Sequence, residues 1–125
     1  MSIKNEVVIK TALRTAIGAM GGSLKNVSGH ELGSCVIKKI INKSGISAND
    51  IDEVIMGQVL TAATGQNPAR QAAIMSGIPK EKPAYIVNQV CGSGLRSVAS
   101  GLQSILSGSS KILIAGGQES MSTSP

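Results

Sequence analysis

The stretch Tyr85-Ile86-Val87-Asn88-Gln89-Val90-Cys91-Gly92-Ser93-Gly94-Leu95 runs from a short apolar segment, through a glycine-flanked thiol, into a helical pattern. Tyr85 to Val87 reads as a strand. Beyond it, Leu95, Val98, Ala99, Leu102, Ile105 and Leu106 recur at helical spacing, with Arg96, Ser97, Ser100, Gln103 and Ser104 outside the stripe and Gly108 closing it. The stripe predicts a helix that buries its leucine and valine face. Cys91 therefore falls where a strand ends and a helix begins, among unpaired N–H groups and the positive end of the helix dipole. A thiol so placed loses its proton more easily than a free cysteine and becomes a nucleophile.

Three further apolar runs, Val7-Val8-Ile9, Val54-Ile55-Met56 and Ile112-Leu113-Ile114-Ala115, are continuous rather than alternating. Such runs characterise strands buried on both faces of a parallel sheet. Two more helices fit between the strands. One opens with the capping box Ser28-Gly29-His30-Glu31, carries Leu32, Cys35, Val36 and Ile40, and stops at Gly45. The other opens at Asn67-Pro68 and ends at Gly77, with Pro79 beyond. The order β-α-β-α-β-α-β implies an α/β fold, a mostly parallel sheet covered by helices, with residues 1–125 forming one domain. Ala16 to Val27 is a glycine-rich loop. The polar segment Ser120 to Pro125 follows a strand and reads as the start of a connection to something further.

Composition narrows the function. Tyr85 is the only aromatic residue, and 42% of the 125 residues are hydrophobic, so the core is aliphatic and the fifteen glycines suit close helix–sheet packing. The net charge of +5 is compatible with an anionic, nucleotide-bearing small molecule. Its lysines are scattered and there is no aromatic platform, which argues against nucleic acid. Two cysteines cannot form a disulfide framework, each falls in a segment that reads as buried, and a reducing, cytoplasmic setting follows. The first residues have neither a secretory nor a transit character. No apolar run approaches the ~20 residues that span a bilayer.

Each candidate site has a plainer reading beside it. An isolated cysteine in an apolar region is usually packing. For Cys91, the strand's carboxyl end favours a ligand site, and Gly92 and Gly94 permit a sharp turn and close approach; the residues alone leave both readings open. Cys35, in mid-helix on the apolar stripe, reads as packing. His30, the only histidine, lies inside a capping box, where side chains face water, and is a poor base for Cys91. Two cysteines and one histidine at these separations match no zinc spacing. Gly92 to Ser97 lacks the third glycine of the dinucleotide fingerprint, and Gly57 to Gly65 lacks the Lys-Ser/Thr of a P-loop. Gly65 to Ala73 reads equally as a capped helix on the sheet and as a helix start near the active site or a subunit contact.

Asn88-Gln89-Val90-Cys91-Gly92-Ser93-Gly94-Leu95-Arg96-Ser97-Val98-Ala99 resembles the acylated-cysteine motif of the thiolases. Ala115-Gly116-Gly117-Gln118-Glu119-Ser120-Met121-Ser122, Gly57-Gln58-Val59 and Gly65 to Ala72 are similar to other segments of that family, as is Arg14-Thr15-Ala16-Ile17-Gly18. The resemblance runs from Val7 to Ser122 and is nearest to the family's short-chain biosynthetic branch, the acetyl-CoA acetyltransferases.

It implies a thiolase-like fold, with this chain most of the first of two similar halves and a loop domain and second half beyond it. It also implies a ping-pong Claisen condensation in which Cys91 is the nucleophile and carries the acetyl group. The substrates would be acetyl-CoA and acetoacetyl-CoA, with coenzyme A as part of the substrate and no separate cofactor or metal. The complete protein would be a cytoplasmic homo-oligomer, a dimer or tetramer, of lipid and fatty acid metabolism, with no nucleic-acid or membrane partner. In the family a histidine, a second cysteine and an asparagine complete the site from the second half, so the 125 residues alone are expected to be inactive. The alternatives are a degradative 3-ketoacyl-CoA thiolase and a non-catalytic half that acts by docking.

Overall fold

The computed structural model describes residues 6–125. The first helix, α1 (Gly29–Ser44), starts where the sequence places it. The Ser28 hydroxyl accepts from Glu31 N–H while the Glu31 carboxylate accepts from Ser28 N–H at 2.8 Å, and Gly45 ends the helix at φ 72°. The Ser28 N–H, and the Ser28 hydroxyl that also donates to the carboxylate at 2.7 Å, hold the Glu31 carboxyl below its ordinary range. Next come β1 (Glu53–Gly57), α2 (Pro68–Met75), β2 (Ala84–Val87), α3 (Ser93–Leu106) and β3 (Leu113–Gly117). The three strands form a parallel sheet in the order β2-β1-β3, with Val54 opposite both Ala84 and Ile114.

β1 is the centre of the fold. Val54 and Met56 face α1 and α2, where Ile37, Ala69, Ala72, Ala73, Ile78 and Ile114 close around them. Ile55 and Gly57 point to the other face, which α3 covers. The start of β3 is fastened to β1 by Asp52, whose carboxylate accepts from Lys111 N–H at 2.7 Å and Ile112 N–H at 3.1 Å. These two donors, Lys111 first, lower the Asp52 pKa.

Four expectations need correction. Val7-Val8-Ile9 is not a strand: it runs without a sheet partner, and Val8 and Ile9 are largely exposed. An apolar β-branched run becomes a strand only where an edge can accept its hydrogen bonds. Among the described residues no strand pairs with the outer edge of β3, and an apolar groove separates that edge from Leu13 to Met20. Second, β2 is an edge strand and only partly covered, with Tyr85 exposed, so burial on both faces belongs to β1 alone.

Third, Cys35 is exposed, because the face of α1 that is buried is Gly29, Gly33, Ser34 and Ile37. The fourth correction is the largest. Helix α3 turns its apolar stripe outward, with Leu95 at 78% and Leu106 at 52% exposure, and buries Ser93, Ser97 and Gly101 instead. The small face wins because it lets the helix axis approach the sheet closely. A Cβ on Gly101 would lie 2.7 Å from Leu113 Cδ1. The serines find partners on the sheet: Ser97 Oγ donates to Gly116 O at 2.7 Å, and Ser104 Oγ donates to the Glu53 carboxylate.

Two outcomes follow. The outward row of Leu95, Val98, Leu102 and Leu106 is apolar surface of the kind that drives association. The chain should therefore self-associate with rising concentration in sedimentation velocity, and Leu102→Glu with Leu106→Glu should shift it toward monomer; a monomer at high concentration in the unsubstituted chain contradicts this. Because folding lowers the Asp52 pKa, its stabilisation is present above the unfolded value and lost as pH falls through the folded one. Asp52→Asn should thus lower stability at neutral pH and flatten the acid limb of a stability–pH profile measured by urea unfolding.

Candidate active site

The site is built where α3 meets the carboxyl ends of β1 and β3. A Cβ on Gly57 would fall 2.4 Å from the Ser93 carbonyl carbon and 2.6 Å from Gly94 N, and one on Gly117 would fall 3.3 Å from Gly94 Cα. With no side chain at these positions, the first turn of α3 rests backbone against backbone on both strand ends. Cys91 lies one residue before the N-cap, Gly92, and its thiol is exposed, not buried as its apolar neighbours suggest. The turn projects it clear of the sheet.

The turn holds an uncommon conformation. Val90 has φ 50°, a left-handed value that a β-branched residue adopts only under constraint. Three bonds supply it. Val90 N–H donates to Asn88 Oδ1 at 3.0 Å, Ser93 Oγ donates to Val90 O at 2.5 Å, and Gln89 N–H donates to Ser93 Oγ at 2.8 Å. Arg96 is drawn onto the same turn through Gln89 Oε1. The buried Ser93 hydroxyl thus ties both sides of the strained residue and fixes where Cys91 emerges.

Cys91 opens on a cleft of about 370 Å³. Its floor is Gly57, Gly94 and Gly117, and its far wall is Gln58, Val59, Gln118, Glu119 and Met121. Two buried amides brace that wall: Gln118 Nε2 donates to Gln58 Oε1 at 2.9 Å and to Pro68 O at 3.2 Å, and Gln58 Nε2 donates to Leu60 O at 2.9 Å. Gln118 is pressed on α1 as well, since a Cβ on Gly33 would sit 2.0 Å from its Oε1.

Neither His30 nor Cys35 lines the cleft. His30 is partly buried, with its Nδ1 enclosed and unpartnered, rather than turned to water as the capping box suggests; Gly29 beside it packs on Glu119 and draws the helix start inward. The segment Gly65 to Ala73 leads into the capped start of α2, packed on the sheet, with Pro68 O accepting from Gln118 of the cleft. Asn67 Oδ1 accepts from Arg70 N–H, Asn67 Nδ2 donates to Ala84 O, Arg70 donates to Lys80 O and Lys82 O, and Gln71 donates to Thr64 O and Gln66 O. None of these side chains reaches the cleft. Sequence reasoning quoted Gln58, Asn88, Gln118 and Glu119 without giving them a role. The available signal was that Gly57-Gln58 and Gly117-Gln118 repeat one pattern just past two strands. Among the described residues no group of three His, Cys, Asp or Glu side chains could hold a metal ion, and no helix is long and apolar enough to cross a membrane.

A parallel α/β sheet with an accessible thiol on a strained strand-to-helix turn, above the carboxyl ends of its strands, defines the class. Residues 7–125 match the model for the thiolase N-terminal domain, and the chain belongs to the thiolase family. Over 119 residues it is 53% identical to the acetyl-CoA acetyltransferase of Rhizobium meliloti, covering 95% of this chain and 30% of that protein. Over 120 residues it is 57% identical to the acetyl-CoA acetyltransferase of Chromobacterium violaceum, covering 96% of this chain and 31% of that protein. The crystal structure of the Bacillus anthracis acetyl-CoA acetyltransferase superposes with a TM-score of 0.91 at 37% identity, over 94% of this chain and 30% of that one. The fold is thus that of the thiolases, and the chain spans about a third of the length of these relatives.

The glycine seat has a direct test. Gly57→Ala forces a methyl into the backbone of Ser93 and Gly94, overpacking that should cost about 3 kcal/mol. The midpoint of urea unfolding reports the loss, and a variant as stable as the parent would show that α3 is not seated this way.

Proposed function

We propose that the protein containing this chain is an acetyl-CoA acetyltransferase that forms acetoacetyl-CoA from two acetyl-CoA through an acetyl-cysteine on Cys91, and catalyses the reverse thiolysis. One observation carries the reading: the exposed Cys91 thiol stands on a turn held by Asn88 and Ser93, beside an open cleft. The names of the relatives support the choice of acetyl-CoA.

In the first half-reaction, Cys91 Sγ attacks the thioester carbonyl carbon. A C–S bond to Cys91 forms, the C–S bond to coenzyme A breaks, and the coenzyme A thiolate leaves and takes up the proton that Cys91 gave up. In the second, a base removes a proton from the methyl carbon of another acetyl-CoA. That carbon attacks the acetyl-cysteine carbonyl, a C–C bond forms, and the bond to Cys91 breaks. Passing through a covalent intermediate divides one difficult step into two easier ones. The oxyanion of each tetrahedral intermediate would develop beside the start of α3, whose dipole and N–H groups favour negative charge. Gly92 and Gly94 leave the backbone bare for a thioester to approach.

The bases that the resemblance implies belong to the part of the relatives that this chain does not span, and neither His30 nor Cys35 lines the cleft in their place. A missing general base costs about 10²–10⁴-fold in rate, so the 125 residues alone should turn over little.

Intact and peptide mass spectrometry after incubation with acetyl-CoA tests the reading, with the chain alone and with the chain mixed with the remaining portion of a relative. An acetyl group should appear on the peptide carrying Cys91 in the mixture, and should vanish in Cys91→Ala. Absence of an adduct under both conditions, or equal acetylation of Cys91→Ala, would overturn the assignment.

A further inference from the structure

The far wall of the cleft is joined to the nucleophile's turn by one carboxylate. Glu119, just past β3, accepts from Val59 N–H through Oε2 at 2.8 Å and from Leu60 N–H through Oε1 at 3.1 Å. Both donors lie just past β1, about 60 positions away in the chain. Two neighbouring backbone donors on the two oxygens of one carboxylate fix that peptide plane, and bonds to a charged acceptor are the stronger kind. The Val59 carbonyl, on the same short stretch, accepts from Asn88 Nδ2 at 3.4 Å, and Asn88 Oδ1 in turn accepts from Val90 N–H at 3.0 Å. A continuous path therefore leads from Glu119, through the Val59–Leu60 backbone and Asn88, to the strained residue next to Cys91. The other carbonyl of the stretch, Leu60 O, is held by Gln58.

From this path we infer that Glu119 is a positioning residue for Cys91: its carboxylate clamps the β1 loop against the Asn88 side chain and so sets the direction in which the thiol leaves the turn. Glu119 touches no reacting atom in this role. The inference rests on the reading of Cys91 as the acyl acceptor, and its geometry is tested apart from that reading. Replacement by alanine removes both acceptors. Replacement by glutamine keeps one oxygen and turns the other into a donor facing an N–H, so one of the two amides should stay bonded.

The experiment is amide exchange and ¹H–¹⁵N NMR on the chain and its Glu119→Ala and Glu119→Gln variants. Exchange at both Val59 and Leu60 should quicken about tenfold in Glu119→Ala, as expected for loss of a hydrogen bond, and at one of them in Glu119→Gln. The amide resonances of Asn88 to Cys91 should shift in both variants, more in the alanine one, while those of β1 and β2 stay in place. Unchanged exchange at Val59 and Leu60, or unmoved resonances at Asn88 to Cys91, overturns the proposal. So does a loss of protection throughout the sheet in both variants, which would mark a general structural role. Acetylation of Cys91 by acetyl-CoA, measured in parallel with the remaining portion of a relative present, separates the two readings. A wild-type chain that takes no acetyl group refutes the enzyme reading alone. A wild-type chain that is acetylated no faster than Glu119→Ala refutes the positioning role alone.

Discussion

The contact on which the rest of this structure depends is between main chains. Gly57 and Gly117 end two parallel strands, and Gly94 lies in the first turn of α3; a Cβ at Gly57 would stand 2.4 Å from the backbone it meets. Only residues without side chains allow this separation. Because the helix rests directly on the strand ends, the turn before it has nowhere to relax. Val90 is held at φ 50°, and Cys91 is carried outward. The accessibility of the thiol is thus a consequence of packing between glycines, with the hydroxyl of Ser93 securing the geometry from within.

The same close approach explains the orientation of α3. A helix seated this low over β1 and β3 must present small groups to the sheet, so Ser93, Ser97 and Gly101 go inside. Each buried hydroxyl then needs a partner, since an unpaired polar group in the interior costs about 1–3 kcal/mol. Gly116 O meets that need for Ser97 and Val90 O for Ser93, and the half-buried Ser104 finds the Glu53 carboxylate. The large apolar side chains are left facing away. The helix is amphipathic toward a second surface, and the sheet below is satisfied by its polar side. The outer edge of β3 and the Val7 to Ile9 segment are open in the same sense: apolar, strand-like in composition, and without a sheet partner among the described residues.

Around the thiol, side-chain amides and one carboxylate do the positioning. Gln58 and Gln118 interlock between β1 and β3, Glu119 spans to the loop after β1, and Asn88 joins that loop to the turn that carries Cys91. Gln58, Glu119 and Asn88 are bonded to backbone or to another amide, as is Gln118 through its Nε2, and the Cys91 thiol stands exposed beside them.

Much of this was legible in the residues. The capping box at Ser28, the Asn67-Pro68 helix start, the glycines that stop α1 and α2, and the apolar runs at Val54 and Tyr85 are local signals: each depends on backbone chemistry within a few positions. The thiolase motifs around Cys91 and Gly117 were equally plain, and they gave the family. Periodicity failed where burial was at issue. The stripe of Leu95, Val98 and Leu102 told correctly that α3 is a helix and wrongly which side meets the sheet, because a hydrophobic pattern carries no record of which neighbour it faces. Val7 to Ile9 has strand composition, yet a strand exists only where another edge accepts it. The burial of Cys35 and His30 was misread, and Glu119 and the Gln58–Gln118 pair were left without a role, for the same reason: their surroundings come from segments far away in the chain. Sequence by itself determined the helices, the three paired strands and the family, since these are written in short-range chemistry. Tertiary structure alone decided which faces are buried and what holds Cys91 in place, since those follow from how closely three glycines let distant backbones meet.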